Sequence, residues 1–191
     1  MGTCPECNGK KRVPCPKCQI GANTNKPSDT EPVGVVKLDG GKLLAATRLP
    51  DLSGQTIALD GAIGPQGIVL LFVDTTCPFS GQALRDIPTV APTLAKAEIN
   101  SAVVNIDGSK EVVTKYFGGK NLGSPVIYDA TNATMTRWNI KTVPTIVYIG
   151  PDKNIAYNGT AVWANVGSAI EKARQMPPGT IKFTARGTGY G

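Results

Sequence analysis

Histidine is absent from the 191-residue chain, and this absence excludes several kinds of site. Without an imidazole there is no Cys–His nucleophile pair, no histidine-ligated metal and no c-type haem attachment. Aromatic residues make up only 6% of the chain, and no long run of lysine and arginine accompanies its net charge of +6. The charge therefore favours solubility over nucleic-acid binding, and we expect no nucleic-acid partner.

Long apolar runs are also missing. No stretch reaches the roughly 18 apolar residues that a transmembrane helix needs, so we expect no transmembrane segment. No signal peptide opens the sequence, because Met1 and Gly2 lead almost directly into a cysteine motif. The sequence as written predicts a cytoplasmic protein, or a periplasmic or exported one if an N-terminal signal was removed.

Cysteine is scarce, with five residues, and four of these lie close together near the amino terminus. They form two Cys-x-x-Cys pairs, Cys4 with Cys7 and Cys15 with Cys18, separated by seven residues. Four thiolates at this spacing suit tetrahedral zinc, so the sequence predicts a zinc-knuckle module over residues 1–18. The alternatives are an iron–sulfur centre and redox-active cysteine pairs, whereas two disulfides would strain so short a segment.

This module resembles half of the zinc finger of J-protein chaperones. Cys4-Pro5-Glu6-Cys7-Asn8-Gly9 matches the Cys-x-x-Cys-x-Gly unit of that finger, and Cys15-Pro16-Lys17-Cys18 repeats its core. The chaperone finger has four such units and this chain has two, so the binding of unfolded proteins does not carry over.

The composition changes twice more along the chain. Gly, Asn, Thr, Pro and Ser predict a linker over residues 19–32, which leads into a folded domain over residues 33–176. A Gly-rich basic tail over residues 177–191 follows, and we expect it to be mobile unless a partner binds it. The basic knuckle and the basic tail are the two candidate surfaces for a protein complex.

The apolar run Ile68–Val73 predicts a central strand that is covered on both faces. It ends at Asp74 and delivers Cys77 into a Cys-Pro-Phe-Ser turn. Open α/β sheets place their chemistry at the carboxyl ends of strands, and a helix that begins after Cys77 would favour its thiolate. The sequence therefore predicts a reactive thiol at Cys77.

The other patterns complete a mixed α/β domain. Asp39 and the two glycines after it predict a β-hairpin between residues 33–38 and 42–46. A helix over residues 80–87 is expected to break or kink at Pro88 and to begin again at Pro92. The further predictions are a turn and short strand within 49–59, strands at 102–106, 125–128, 145–149 and 155–157, and helices at 109–117, 133–138 and 164–175.

Three motifs in this order resemble the thioredoxin superfamily, in its redoxin branch of peroxiredoxins and thiol–disulfide reductases. They are the opening motif Leu49-Pro50-Asp51-Leu52-Ser53-Gly54-Gln55-Thr56, the active-site loop Val73-Asp74-Thr75-Thr76-Cys77-Pro78-Phe79-Ser80, and the cis-proline loop Val143-Pro144-Thr145. The resemblance covers roughly residues 33–176. It implies a thioredoxin-like fold, with a central mixed sheet flanked by helices, and a cis bond that brings Pro144 beside Cys77.

The resemblance also implies a function in thiol–disulfide exchange, with Cys77 as the nucleophile. Ser80 stands where a second cysteine would resolve the mixed disulfide, so release would need an external thiol from glutathione or a partner protein. Val143 would pair its backbone with an extended substrate peptide, as in β-augmentation. Thr76 and Phe79 are the other expected substrate contacts.

Two other functions stay open. A thioredoxin-like domain without a resolving cysteine can serve as a non-catalytic scaffold in a protein assembly. A one-cysteine peroxidase is the second alternative, although Asp74 occupies the position where peroxiredoxins carry threonine. Asp74 itself is interpreted as a strand-end cap or as a proton acceptor near Cys77. Arg85 and Arg137 are the candidate arginines for a peroxide.

Overall fold

The structure, a computed structural model, describes residues 39–106 and 109–183. The predicted zinc knuckle at 1–18, the linker at 19–32 and the last part of the tail lie outside these residues. In chain order the elements are α1 (Gly40–Ala45), β1 (Arg48–Pro50), β2 (Thr56–Ala58), β3 (Ile68–Val73), α2 (Pro78–Lys96), β4 (Asn100–Asn105), α3 (Lys110–Phe117), β5 (Val126–Tyr128), α4 (Ala133–Arg137), β6 (Thr145–Ile149), β7 (Ile155–Thr160) and α5 (Trp163–Ala173).

Five of the strands form one mixed sheet in the order β5-β4-β3-β6-β7. β3, β4 and β5 run parallel, whereas β6 pairs antiparallel with both β3 and β7. β1 and β2 form a separate small hairpin, which a single bridge between Asp51 and Ile127 connects to β5. The predicted α/β architecture with a central mixed sheet is confirmed.

β3 is the central strand of the sheet, and every one of its side chains is buried. Val69, Leu71 and Val73 pack into a core that α2, α3 and α5 cover. The alternate residues of the strand pack into a second core on the opposite face, with α1 and Trp138. Gly67 precedes the strand with a φ of +111°, at a point where a Cβ atom would collide with the Ile149 carbonyl oxygen.

Of the break or kink predicted in α2, the break is wrong, because one helix continues through both Pro88 and Pro92. Both prolines are exposed, so their rings lie on the outer face of the helix. The buried face runs past them without interruption, from Ala83 to Leu94. Its packing against the sheet outweighs the hydrogen bonds that the two prolines cannot donate.

The predicted hairpin about Asp39 is also wrong, as far as the structure describes it. Residues 33–38 lie outside the described range, and the second predicted strand is the helix α1. The Asp39 carboxylate accepts a hydrogen bond from the Lys42 N–H at 3.0 Å and so caps this helix. Leu43 and Leu44 are both buried, which neighbouring residues achieve on a helix but not on a strand with one buried face.

The remaining predicted elements are confirmed, with small shifts at their ends and a longer β7, except that the region 49–59 contributes to two strands, β1 and β2, where one is predicted. No helix in the described ranges is both long and apolar enough to cross a membrane. The tail differs from the prediction in its first part, because the Ile181 N–H donates to Glu171 at 2.7 Å and the Phe183 ring packs 5.5 Å from Trp163. A backbone hydrogen bond and an aromatic contact thus attach residues up to 183 to α5.

Candidate functional site

The sheet topology explains why Cys77 and Val143 are neighbours. β3 and β6 are antiparallel, and Phe72 pairs with Thr145, so the loop after β3 meets the loop before β6. The Val143–Pro144 peptide bond is cis, as the sequence predicts. The Cys77 Sγ–H donates a hydrogen bond to the Val143 carbonyl oxygen at 3.7 Å.

Cys77 is the N-cap residue of α2, and Pro78 occupies the first helical turn. Its own side chain does not cap the helix, so the thiol is free to face Val143. The thiol is half-buried, and Cys77 is the one free cysteine in the part of the chain that the structure describes. Cys77 therefore lies at the positive end of the α2 dipole, a position that favours an anion.

Asp74 organises the loop between β3 and α2. Its Oδ1 atom accepts hydrogen bonds from both the N–H and the hydroxyl of Thr76, each at 2.6 Å. Its carbonyl oxygen accepts the Cys77 N–H at 3.3 Å. Of the two interpretations of Asp74, these contacts favour the strand-end cap over the proton acceptor.

Ser80 is completely buried beneath the same loop. Its hydroxyl oxygen accepts a hydrogen bond from the Asp74 N–H at 3.2 Å. The residue in the position of a resolving cysteine therefore helps to fix the loop that carries Cys77. Of the expected substrate contacts, Thr76 is exposed, and Phe79 and Val143 are half-buried.

A groove of about 490 Å³ lies between α2 and α3, and no sequence motif predicts it. We call it the α2–α3 groove. Its lining consists of Gly81, Leu84, Arg85, Pro88, Tyr116, Phe117, Lys120, Asn121 and Leu122. Tyr116 and Lys120 lie in no motif and come together with α2 only through helix packing.

The two candidate arginines separate in the fold. Arg85 lines the α2–α3 groove, whereas Arg137 donates from Nη1 to the Ala46 carbonyl oxygen at 2.8 Å, beside α1. α1 and α2 cover opposite faces of the sheet. Arg85 therefore lies on the same face as the helix that follows Cys77, whereas Arg137 lies on the other face.

Both tryptophans pack in the core. Trp138 is 1% exposed, and its indole N–H donates to the Thr47 hydroxyl at 3.0 Å. Trp163 is 4% exposed and contacts the ring of Phe183.

Within the described ranges no three histidine, cysteine or acidic side chains come together as a metal site. The predicted zinc ligands Cys4, Cys7, Cys15 and Cys18 lie outside those ranges.

The sheet order, the helix that begins at a Cys-Pro turn and the cis-proline loop facing it together define a thioredoxin-like fold. The model of the AhpC/TSA family matches residues 41–158, and the chain belongs to that family. A comparison with curated proteins finds no significant match.

Solved structures share the fold at low sequence identity. One is a secreted disulfide oxidoreductase of Mycobacterium tuberculosis homologous to DsbE of E. coli, with 16% identity, a TM-score of 0.54, and coverage of 69% of this chain and 98% of its own. A thioredoxin-like protein of Aeropyrum pernix has 17% identity, a TM-score of 0.53, and coverage of 67% and 89%. A candidate thioredoxin of Neisseria meningitidis has 23% identity, a TM-score of 0.60, and coverage of 70% and 90%.

Proposed function

We propose that the protein carries out thiol–disulfide exchange through Cys77 and that an external thiol, from glutathione or a partner protein, completes the cycle. The observation that supports this is the position of the Cys77 thiol at the N-cap of α2, 3.7 Å from the Val143 carbonyl oxygen. The helix end stabilises a thiolate. The half-buried Val143 and Pro144 provide backbone against which an extended substrate could lie.

The reaction has two steps. The Cys77 thiolate attacks one sulfur of a disulfide, so that a mixed disulfide forms and the other sulfur leaves as a thiolate. Because Ser80 offers no second thiol, an incoming thiolate then attacks the mixed disulfide. This forms a new disulfide with the substrate sulfur and returns Cys77 to its thiolate.

The test is to incubate the full chain with hydroxyethyl disulfide and to follow the peptide that contains Cys77 by mass spectrometry. We expect a mixed disulfide on Cys77 that added glutathione removes. Cys77→Ser serves as the control, because it keeps the side-chain volume nearly unchanged and removes the nucleophile. A Cys77 thiol that reacts no faster than a cysteine in an unfolded peptide would contradict the proposal.

A non-catalytic scaffold is the second candidate, and the burial of Ser80 favours it, since the site has no internal means of release. A scaffold would bind its protein partner equally well after Cys77→Ser. The one-cysteine peroxidase is tested in parallel with hydrogen peroxide. A sulfenic acid that forms on Cys77 as fast as the mixed disulfide would favour the peroxidase over exchange.

A further inference from the structure

On α2, the α2–α3 groove begins at Gly81, four residues after Cys77. Gly81, Leu84, Arg85 and Pro88 line it from α2, and they follow Cys77 at spacings of four, seven, eight and eleven residues. These spacings place the four residues on one face of α2, and Cys77 precedes them as the N-cap residue, with an extended backbone. The Gly81 N–H donates to the Cys77 carbonyl oxygen at 3.2 Å, so the groove begins one helical turn from the backbone of Cys77, whose thiol contacts the Val143 carbonyl oxygen.

The groove carries two cationic side chains and no acidic one. Arg85 and Lys120 are both exposed and line it, and no carboxylate is among its lining residues. The described ranges contain one salt bridge, between Lys42 and Asp39, so neither groove cation forms a salt bridge there, although the charge of Arg85 acts on the neighbouring carboxyl of Asp86. Asp86, the nearest acidic residue in sequence, is 7% exposed and lines a separate cavity beside Trp163.

Tyr116 holds one of these charges in place. The Lys120 Nζ atom lies 3.6 Å from the centre of the Tyr116 ring, a cation–π contact that keeps the ammonium at the groove wall. On the facing helix, a Cβ atom added to Gly81 would lie 3.7 Å from the Tyr116 hydroxyl. The Tyr116 side chain thus lies between Gly81, near the start of α2, and the Lys120 ammonium.

The dimensions of the groove match a short peptide. Arg85 follows Cys77 by eight residues, about 12 Å along the helix axis, whereas a sulfur on the central residue of an extended tripeptide lies roughly 5–7 Å from either terminal carboxylate. A volume of 490 Å³ falls in the range of sites for small molecules, roughly 300–1,000 Å³. The flexible Arg85 side chain closes the remaining distance to a bound carboxylate.

We infer that the α2–α3 groove binds the carboxylates of a small peptide thiol, the size and charge of glutathione, while its sulfur reacts at Cys77. This inference rests on the proposed function and names its external thiol. Arg85 and Lys120 are the selecting residues, and Tyr116 positions Lys120. The exchange step is unchanged: the mixed disulfide on Cys77 forms or breaks as the thiolate of the small peptide leaves or attacks.

The experiment compares three disulfides by the rate at which each modifies Cys77 in the full chain: anionic glutathione disulfide, neutral hydroxyethyl disulfide and cationic cystamine. Arg85→Ala with Lys120→Ala should slow the reaction with glutathione disulfide about three- to tenfold, the range expected for two exposed charge contacts. The reaction with hydroxyethyl disulfide should not change. Added salt should reduce the preference for glutathione disulfide in the wild type.

Two variants make the comparison sharper. Lys96→Ala removes the same charge from the far end of α2, outside the groove, and should leave all three rates as they are. Arg85→Glu with Lys120→Glu should reverse the order, so that cystamine reacts faster than glutathione disulfide.

The outcomes separate this inference from the proposed function. Equal slowing of all three disulfides, or no slowing of glutathione disulfide, would overturn the groove inference while leaving exchange at Cys77 intact. Faster reaction of the disulfide-linked dimer of a longer acidic cysteine-containing peptide than of glutathione disulfide would also overturn it, in favour of a protein segment. No reaction with hydroxyethyl disulfide in the wild type would instead remove the proposed function.

Discussion

The Ser80 hydroxyl occupies a buried position where a thiol would change the chemistry of the site. It lies in the first turn of α2, three residues after Cys77, and its oxygen accepts the Asp74 N–H at 3.2 Å. Sulfur accepts hydrogen bonds more weakly than oxygen, but it can attack a mixed disulfide on Cys77. The difference between a one-thiol site and a two-thiol site is therefore a single buried atom.

Ser80→Cys should give the protein an internal resolving thiol. We expect a disulfide between positions 77 and 80, seen as the loss of two hydrogens by mass spectrometry, and reduction of insulin on the order of tenfold faster than by the wild type. Ser80→Ala is the matched control, because it removes the hydroxyl without adding a thiol and costs about 1 kcal/mol of stability through the Asp74 N–H. Insulin reduction that rises equally in both variants would contradict the explanation.

At the scale of single elements, α4 shows how one carboxylate fixes a helix. Asp129 follows β5 and is 4% exposed, and its two oxygens accept hydrogen bonds from the Thr131 N–H at 2.9 Å and the Thr134 N–H at 2.6 Å. Burial raises the pKa of Asp129, but the hydrogen bonds from Thr131 and Thr134 outweigh it and hold the pKa below its ordinary value of 3.8. The buried Trp138 follows directly at the end of the helix.

Asp129→Ala should lower the free energy of unfolding by about 1–3 kcal/mol near neutral pH, because the buried Thr134 N–H and the partly buried Thr131 N–H lose their acceptor. A lowered pKa contributes stability above 3.8 that is lost as the pH falls through the folded-state pKa. The difference in stability between the wild type and the variant should therefore shrink in acid, as measured by urea unfolding over a pH series. Asp129→Asn keeps one acceptor and should lose less stability than Asp129→Ala. A stability difference between the wild type and Asp129→Ala that does not vary with pH would contradict the stabilising role of the ionised carboxylate.

Some sequence signals are sufficient to predict an element of this fold, and others are not. Ile68–Val73 was predictable in full because an unbroken apolar run has few other uses, and the cis bond before Pro144 followed from the family motif. α1 was not predictable, because Asp39 serves equally well in a turn and as a helix cap, and only the burial of Leu43 and Leu44 decides between them. The groove was not predictable either, since Arg85 and Lys120 meet only when α2 packs beside α3.

At the scale of the whole molecule, we propose that the four N-terminal cysteines bind one zinc ion, separately from the chemistry of Cys77. Zinc content of the purified chain should be close to one ion per molecule and should fall in Cys4→Ser. Cys77→Ser is the matched control, because it also removes one thiol but should retain the metal. Iron in place of zinc, or full metal content in Cys4→Ser, would contradict the proposal.

The two edges of the central sheet differ in how they meet other molecules. The hairpin of β1 and β2 bridges to Ile127 and shields the β5 edge, whereas β7 pairs only with β6 in the described part of the chain. Unpaired strand edges can recruit strands from other chains, and short or polar edges resist this. The exposed residues of β7 are Ala156, Asn158 and Thr160, and a bulge interrupts its register beside Ile149. At high concentration the sheet therefore presents an irregular and mostly polar edge, which disfavours self-association by strand addition.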